Sequence, residues 1–381
     1  MQTQSSNGAD FHNSKLFTPV KLGAIALDHR IIMAPLTRLR TDMPGNIPND
    51  MMAQYYGQRA TKGGLIISEA TVVSTNGHGY LGAPGIHTRA QMEGWKTITS
   101  AVHAKGGKIF SQLWHVGRQS HSDLQPDGGL PVGPSEVFHE NFAITANGWV
   151  PVTQNRALTI SEIHAIIKDF RKGAEHAKEA GFDGVELHAA NSYLIDQFLQ
   201  DISNKRTDHY GGPIENRVRF LLEALEGLVA VWGADRVGVR ITPNGTWGNM
   251  GDSNPAALFG HVAERLNEYG LAYLHVVEPR ILNNIEKEEA YVEPIAAGQL
   301  HRIFKGPILS AGGYTREDAE KILQKGDAAA VAFGRFFVSN PDLVERFRNG
   351  YPLNAYNRAT FYGGNEEGYI DYPFYQSAVN A

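Results

Sequence analysis

A chain of 381 residues, 42% hydrophobic and 20% charged, has ordinary globular composition with material for a large core. A net charge of -5 leaves no basic stripe for nucleic acid, and no apolar run approaches the length that crosses a bilayer. The absence of cysteine removes disulfides, thiolate nucleophiles and iron–sulfur clusters.

The opening Met1-Gln2-Thr3-Gln4 lacks the basic end and apolar segment of a secretory signal. Residues 1–14 read as a flexible polar tail, and the expected location is the cytoplasm. Residues 17–29 then read as a hairpin ahead of the first strand, placed to close the bottom of the fold. Eight short, nearly continuous apolar runs come next, at 30–33, 65–68, 108–113, 184–188, 237–241, 273–277, 307–310 and 329–333. Such runs suit parallel strands buried on both faces. Helical signals lie between them. Thr88 with Gln91, and Thr159 with Glu162, have capping-box spacing. Ile163, Ile166, Ile167 and Phe170 repeat at helical period, Gly181 supplies a stop, and Pro213 suits a first helical position. Eight alternating pairs predict an α/β protein, a (βα)8 TIM barrel with an N-terminal hairpin cap, as a single domain over 15–381. Residues 119–157, rich in Pro, Gly and Asn, interrupt the repeat after strand three as an inserted rim or lid.

In such barrels chemistry sits at the carboxyl ends of the strands. Strand one runs into Pro35-Leu36-Thr37, strand two into Glu69-Ala70, strand three through Gln112 and Trp114 to His115, and strand five carries Arg240. Strand four ends in His188-Ala-Ala-Asn191-Ser-Tyr193, which gathers an imidazole, a carboxamide and a phenol. Strands seven and eight end in Gly312-Gly313 and Gly334-Arg335. Either glycine site alone reads as a tight turn; together, with a guanidinium, they suit a phosphate. Gln112 then offers a donor and an acceptor to a ring edge, or is a rim residue. Arg240 stabilises negative charge on that ring, or is an ion-pair partner. His188 alone reads equally as a core residue, Asn191 as a helix cap, and Tyr193 as packing. No third ligand accompanies His115 and His188, so no metal site is expected. No Gly-x-Gly-x-x-Gly follows the first strand, so a Rossmann site has no support.

The stretch Gly184-Val-Glu-Leu-His188-Ala-Ala-Asn191-Ser-Tyr193-Leu-Ile-Asp-Gln-Phe-Leu, with Met33-Ala-Pro35-Leu-Thr37-Arg38, Gln112-Leu-Trp114-His115-Val-Gly117-Arg118 and Phe333-Gly334-Arg335, resembles the Old Yellow Enzyme family of FMN-dependent ene-reductases. The resemblance covers nearly the whole chain and is nearest to the bacterial branch of N-ethylmaleimide and nitrate-ester reductases. It implies FMN as a tight, non-covalent cofactor and NADPH or NADH as reductant, an NADPH dehydrogenase type of activity. The implied substrates are small enones, nitroalkenes or maleimides, with nitrate esters besides, and no protein partner is identifiable. It assigns Pro35, Thr37, Ala70, Gln112, His188, Asn191 and Arg240 to the flavin ring, and Gly312, Gly313, Gly334 and Arg335 to its phosphate. It assigns His188 and Asn191 to the substrate oxygen, Tyr193 to proton donation and Thr37 to tuning the flavin. Trp114, Tyr80 and Tyr362 become pocket walls. Another FMN-barrel chemistry, 2-hydroxy-acid oxidation, is the competing expectation, and Asn191 and Tyr193 speak against it.

Overall fold

The computed structural model describes residues 14–282, 285–286 and 295–376. Eight parallel strands close into a ring: β1 (Ile31–Met33), β2 (Leu65–Ile67), β3 (Lys108–Trp114), β4 (Gly184–Ala189), β5 (Val237–Ile241), β6 (Tyr273–Val277), β7 (Ile308–Ala311) and β8 (Ala330–Phe333). Each pairs with its successor, and β8 returns to β1 with Ala332 opposite Ile32. Helices lie between the strands, as in a (βα)8 barrel. The expected polar tail, apart from Ser14, lies outside the described residues.

Local chemistry explains the helix boundaries. Both predicted capping boxes form, at Thr88/Gln91 and Thr159/Glu162. The helix Ile160–Glu179 buries Ile163, Ile166, Phe170, Ala174 and Ala177 on one face, and Gly181 follows its C-cap at φ +83°. Pro213 departs from expectation by one residue. Its carbonyl accepts the N–H of Asn216 and Arg217, making it the N-cap, and Ile214 is the first helical residue.

The hairpin of Val20–Leu22 and Ile25–Leu27 plugs the amino-terminal end. Leu22, Ile25 and Leu27 pack with Leu65, Phe110, Tyr273 and Leu309 in one buried cluster. Its turn needs Gly23: φ is +57°, and a Cβ there would lie 2.1 Å from the Asp235 carbonyl oxygen. At the other end the 119–157 excursion folds back as a hairpin, Phe142–Thr145 against Gly148–Pro151. Leu81 N–H holds it by donating to Ile144 O at 2.8 Å. The C-terminal segment wraps toward the same mouth. Arg38 and Arg59 fasten it by donating to the carbonyls of Gly368 and Tyr369, at 2.8 and 3.0 Å. Among the described residues no helix is long and apolar enough to cross a membrane.

Candidate active site

The carboxyl ends of the strands surround a cavity of about 550 Å³, within the range that holds a drug-sized ligand or cofactor. Its lining includes Pro35, Thr37, Gln112, His188, Asn191, Tyr193 and Arg240 at the centre. Gly312, Gly313, Gly334 and Arg335 line one end. Tyr80, Trp149, Trp247 and Tyr362 line the outer part. The spacing therefore brings together nearly all the expected residues. Two are corrected. Ala70 and Trp114 are not among the lining residues; both are buried in a cluster with Val72 and Val116 that also includes the lining residues Leu39 and Tyr80. Tyr80 stacks on Trp114, rings 5.8 Å apart and nearly parallel.

The glycine end is shaped by backbone. Gly312 has φ +139°, and a Cβ there would come 2.9 Å from the Glu278 Cβ; Gly313 has φ +65°. Both lie where an L side chain is strained. Arg335 begins the short helix after β8, and its Nη1 donates to the Tyr356 hydroxyl at 3.2 Å. A phosphate could approach this bare backbone with a guanidinium beside it.

The centre is shaped by strand register. Glu186 of β4 lies opposite Gln112 of β3, His188 opposite Arg240 of β5, and Arg240 opposite His275 of β6. Period-two alternation sets Glu186 and His188 on one face of β4. Two buried atoms beside the cavity, His188 Nδ1 and Arg240 Nε, have no hydrogen-bond partner among the described residues. Native proteins rarely leave buried polar atoms unpaired, so these mark a place where a polar ligand belongs. The residues present fit a planar, polar-edged ring at the centre joined to a phosphate at the glycine end.

Asn191 and Tyr193 owe their positions to a strained loop. Asn191 and Ser192 have φ of +57° and +66°, a left-handed region that Asn tolerates better than Ser. Asp196 and Gln197 of the following helix, Leu194–Leu199, hold it: Ser192 N–H donates to Asp196 Oδ2 at 2.8 Å, and Gln197 Nε2 to Ser192 O at 2.7 Å. Asn191 does not cap that helix; Tyr193 is its N-cap, without a side-chain cap bond. The Tyr193 ring meets Trp114, His188 and Trp247 edge-on, at centroid distances of 4.8, 5.1 and 5.8 Å. His115, at the end of β3, is spent on its own turn. Its Nδ1 accepts from Gly117 N–H at 3.0 Å, and its carbonyl accepts from Leu194 N–H.

Burial fixes the protonation states. It lowers His188 well below the usual histidine value, and neighbouring Arg240 and His275 lower it further, so the imidazole is neutral. Burial pushes the Tyr193 phenol upward, so it is protonated at neutral pH. The neutral ring donates one N–H, and the phenol holds one proton.

Sequence reasoning missed Glu186, His275, Trp149, Trp247 and Tyr356. An acid and a histidine in otherwise apolar strands were a readable signal for the first two. The others reach the mouth from separate loops and carry no local signal.

A family model described as the NADH:flavin oxidoreductase / NADH oxidase family matches residues 15–354. The chain is 46% identical to 12-oxophytodienoate reductase 1 of Oryza sativa subsp. japonica over 94% of its own length and 93% of the relative's. It is 44% identical to 12-oxophytodienoate reductase 2 of Arabidopsis thaliana, covering 96% of each chain. Among solved structures it resembles morphinone reductase in complex with tetrahydroNAD, with a TM-score of 0.90 and 47% identity, covering 97% of this chain and 100% of that one. The barrel, the cavity at its carboxyl end and these matches along nearly the full length lead to one assignment: the chain belongs to the Old Yellow Enzyme family of flavin oxidoreductases.

Proposed function

We propose that the protein is an FMN-dependent ene-reductase, supplied by NADPH or NADH, that reduces the activated C=C bond of small enones, nitroalkenes or maleimides. We read residues 15–381 as one cytoplasmic catalytic unit of the bacterial maleimide- and nitrate-ester-reductase branch, with nitrate esters as further substrates. The observation that carries the reading is the meeting, in one cavity, of a neutral His188, Asn191 and a protonated Tyr193 with a glycine-lined end beside Arg335. Relatives named as reductases of 12-oxophytodienoate and of morphinone support it.

In this reading Gly312, Gly313, Gly334 and Arg335 hold the phosphate, and Pro35, Thr37, Gln112 and Arg240 hold the ring. The bound flavin supplies the hydride chemistry, which no amino-acid side chain can. His188 and Asn191 donate hydrogen bonds to the substrate oxygen and stabilise the charge that gathers there as the β-carbon is reduced. Donors already in place in a dry site are often the largest electrostatic contribution to catalysis. Tyr193 gives its proton to the α-carbon. Burial makes the phenol a weaker acid, so it keeps its proton until that carbon becomes strongly basic. Tyr80, Trp149 and Tyr362 shield the site from water, with Trp149 edge-on to Tyr362 at 6.0 Å.

The test is visible by eye. Purified protein is expected to be yellow, to bleach anaerobically with NADPH or NADH, and to recolour with 2-cyclohexenone or N-ethylmaleimide. Colourless protein that FMN cannot reconstitute would overturn the proposal.

A further inference from the structure

The barrel holds a carboxylate that this reaction does not use. Glu186 lies two residues before His188 on β4 and is fully buried. Gln112 Nε2 donates to its Oε1 at 2.7 Å, and His275 Nδ1 donates to its Oε2 at 2.8 Å. Arg240 stands between β4 and β6 in the strand order, and its charge acts on the same carboxylate. Burial alone would raise the Glu186 carboxyl. His275, Arg240 and Gln112 outweigh it and hold the group below its usual value, so it is charged. His275 is lowered by burial despite Glu186, so the ring is neutral, its Nδ1 proton engaged by the carboxylate. Among the described residues the charges at this level are thus one anion, Glu186, and one cation, Arg240.

We propose that Glu186 is a positioning residue for the flavin: it locks the Gln112 amide and offsets Arg240, thereby setting how readily bound FMN takes up electrons. The inference rests on FMN being the bound cofactor. The lock follows from hydrogen-bond chemistry. Turning the amide over would set Gln112 Oε1 against a carboxylate oxygen, two acceptors facing each other. Gln112 therefore keeps its Nε2 toward Glu186, and its Oε1 is left to accept from the ring. The offset follows from electrostatics. Arg240 favours the electron-rich reduced flavin, Glu186 disfavours it, and neither charge is well screened in a dry interior. Removing the anion should favour the reduced state. The two half-reactions must then move in opposite directions, faster reduction by nicotinamide and slower oxidation by alkene.

The experiment compares two variants as holoenzymes. Glu186→Gln keeps the volume and removes the charge. Its flavin midpoint potential, measured by equilibration with a reference dye, is expected to be more positive than that of the unaltered protein. Its reductive half-reaction should accelerate and its oxidative half-reaction slow, each several-fold. Gln112→Leu leaves the charge and removes the amide. FMN affinity should fall about tenfold, the size of one or two hydrogen bonds, with no positive shift in potential. If Glu186→Gln does not fold, Glu186→Asp retains the charge on a shorter arm, with weaker FMN binding and an unshifted potential expected. An unchanged or more negative potential in Glu186→Gln, equal slowing of both half-reactions, or a shifted potential in Glu186→Asp overturns the proposal. Unaltered protein that takes up no FMN would instead sink the cofactor reading beneath it.

Discussion

At its amino-terminal end the barrel is filled by Leu22, Ile25 and Leu27 of the hairpin, packed on strand side chains with Ala24 N–H bonded to the Asp235 carbonyl at 2.8 Å. At its carboxyl end it holds Gln112, Glu186, His188, Arg240 and His275, a strained loop, and buried polar atoms without partners among the described residues. One ring of strands supports both. The lower end gains stability from apolar burial, roughly 1.5–3 kcal/mol for each large side chain, and the upper end carries groups that water would solvate better. Stability and chemistry are therefore separable by position along the same strands, and substitutions at the two ends should fail in different assays.

The largest expected effect is at the upper end, on rate alone. Tyr193→Phe keeps the ring among Trp114, His188 and Trp247 and deletes the acid. Alkene reduction in single turnover should slow by roughly 10²–10⁴-fold, the usual range for losing a general acid. Flavin reduction by nicotinamide should change no more than a few-fold, and the melting temperature little. Equal slowing of both half-reactions would break the assignment.

Acid should expose the cost of buried histidines, several of which lie toward the upper end. Burial, helped by Arg348, lowers His29 to about 4; burial, helped by other histidines, lowers His78 and His115 to about 3. The unfolded chain protonates these groups near 6.5, so below that pH it binds more protons than the native protein. Stability is therefore full above about pH 6.5 and declines as pH falls toward 4, by up to about 1.4 kcal/mol per unit for each histidine. His29 alone accounts for about 3 kcal/mol by pH 4. Urea midpoints that stay level between pH 7 and 4.5 would contradict this.

At the lower end, Leu27→Ala removes a side chain only 1% exposed and should cost about 2–4 kcal/mol. The urea midpoint should fall, and FMN affinity and turnover in the folded protein should hold. Weakened FMN binding at temperatures where the variant is fully folded would show that the two ends are coupled.

The lower end and the ring of strands were legible because they obey simple rules. Strands buried on both faces are short apolar runs, and each of the eight runs is a strand. The capping boxes formed because their geometry is local, and Pro213 missed by one position because helix boundaries hinge on which carbonyl accepts the first bond. At the upper end, His188, Asn191 and Tyr193 were legible as a cluster because one strand end and its loop carry them all. The family resemblance named Trp114 as a wall, but its stacking on Tyr80, 34 residues away along the chain, is a contact that no local spacing announces. The Glu186 contacts with Gln112 and His275 depend on register between strands, which no spacing along the chain encodes. Contacts made within a segment could be read ahead of the fold, and those made across the barrel could not.

The smallest expected effect tests whether the glycine end belongs with the chemistry. Gly312 has φ +139°, open in practice only to glycine, so Gly312→Ala should strain the backbone by about 1–3 kcal/mol. Its new Cβ would press on Glu278, 2.9 Å from Cβ and 3.2 Å from the amide nitrogen. Glu278 cannot yield easily, because Ser310 Oγ and Ala297 N–H both donate to its carboxylate, at 2.8 and 3.0 Å. The strain must then pass into the turn at 311–313, on the side the phosphate would approach. Gly334→Ala is the control. Its Cβ would meet only the end of the Leu36 side chain, at 3.2 Å, which a rotation can relieve, and its φ of −96° lies outside the left-handed region. FMN titration of the apoproteins should show Gly312→Ala weakened five- to thirtyfold and Gly334→Ala much less. Equal affinities for both variants and the unaltered protein would place the phosphate elsewhere, and would leave the glycines of β7 and β8 as turns alone.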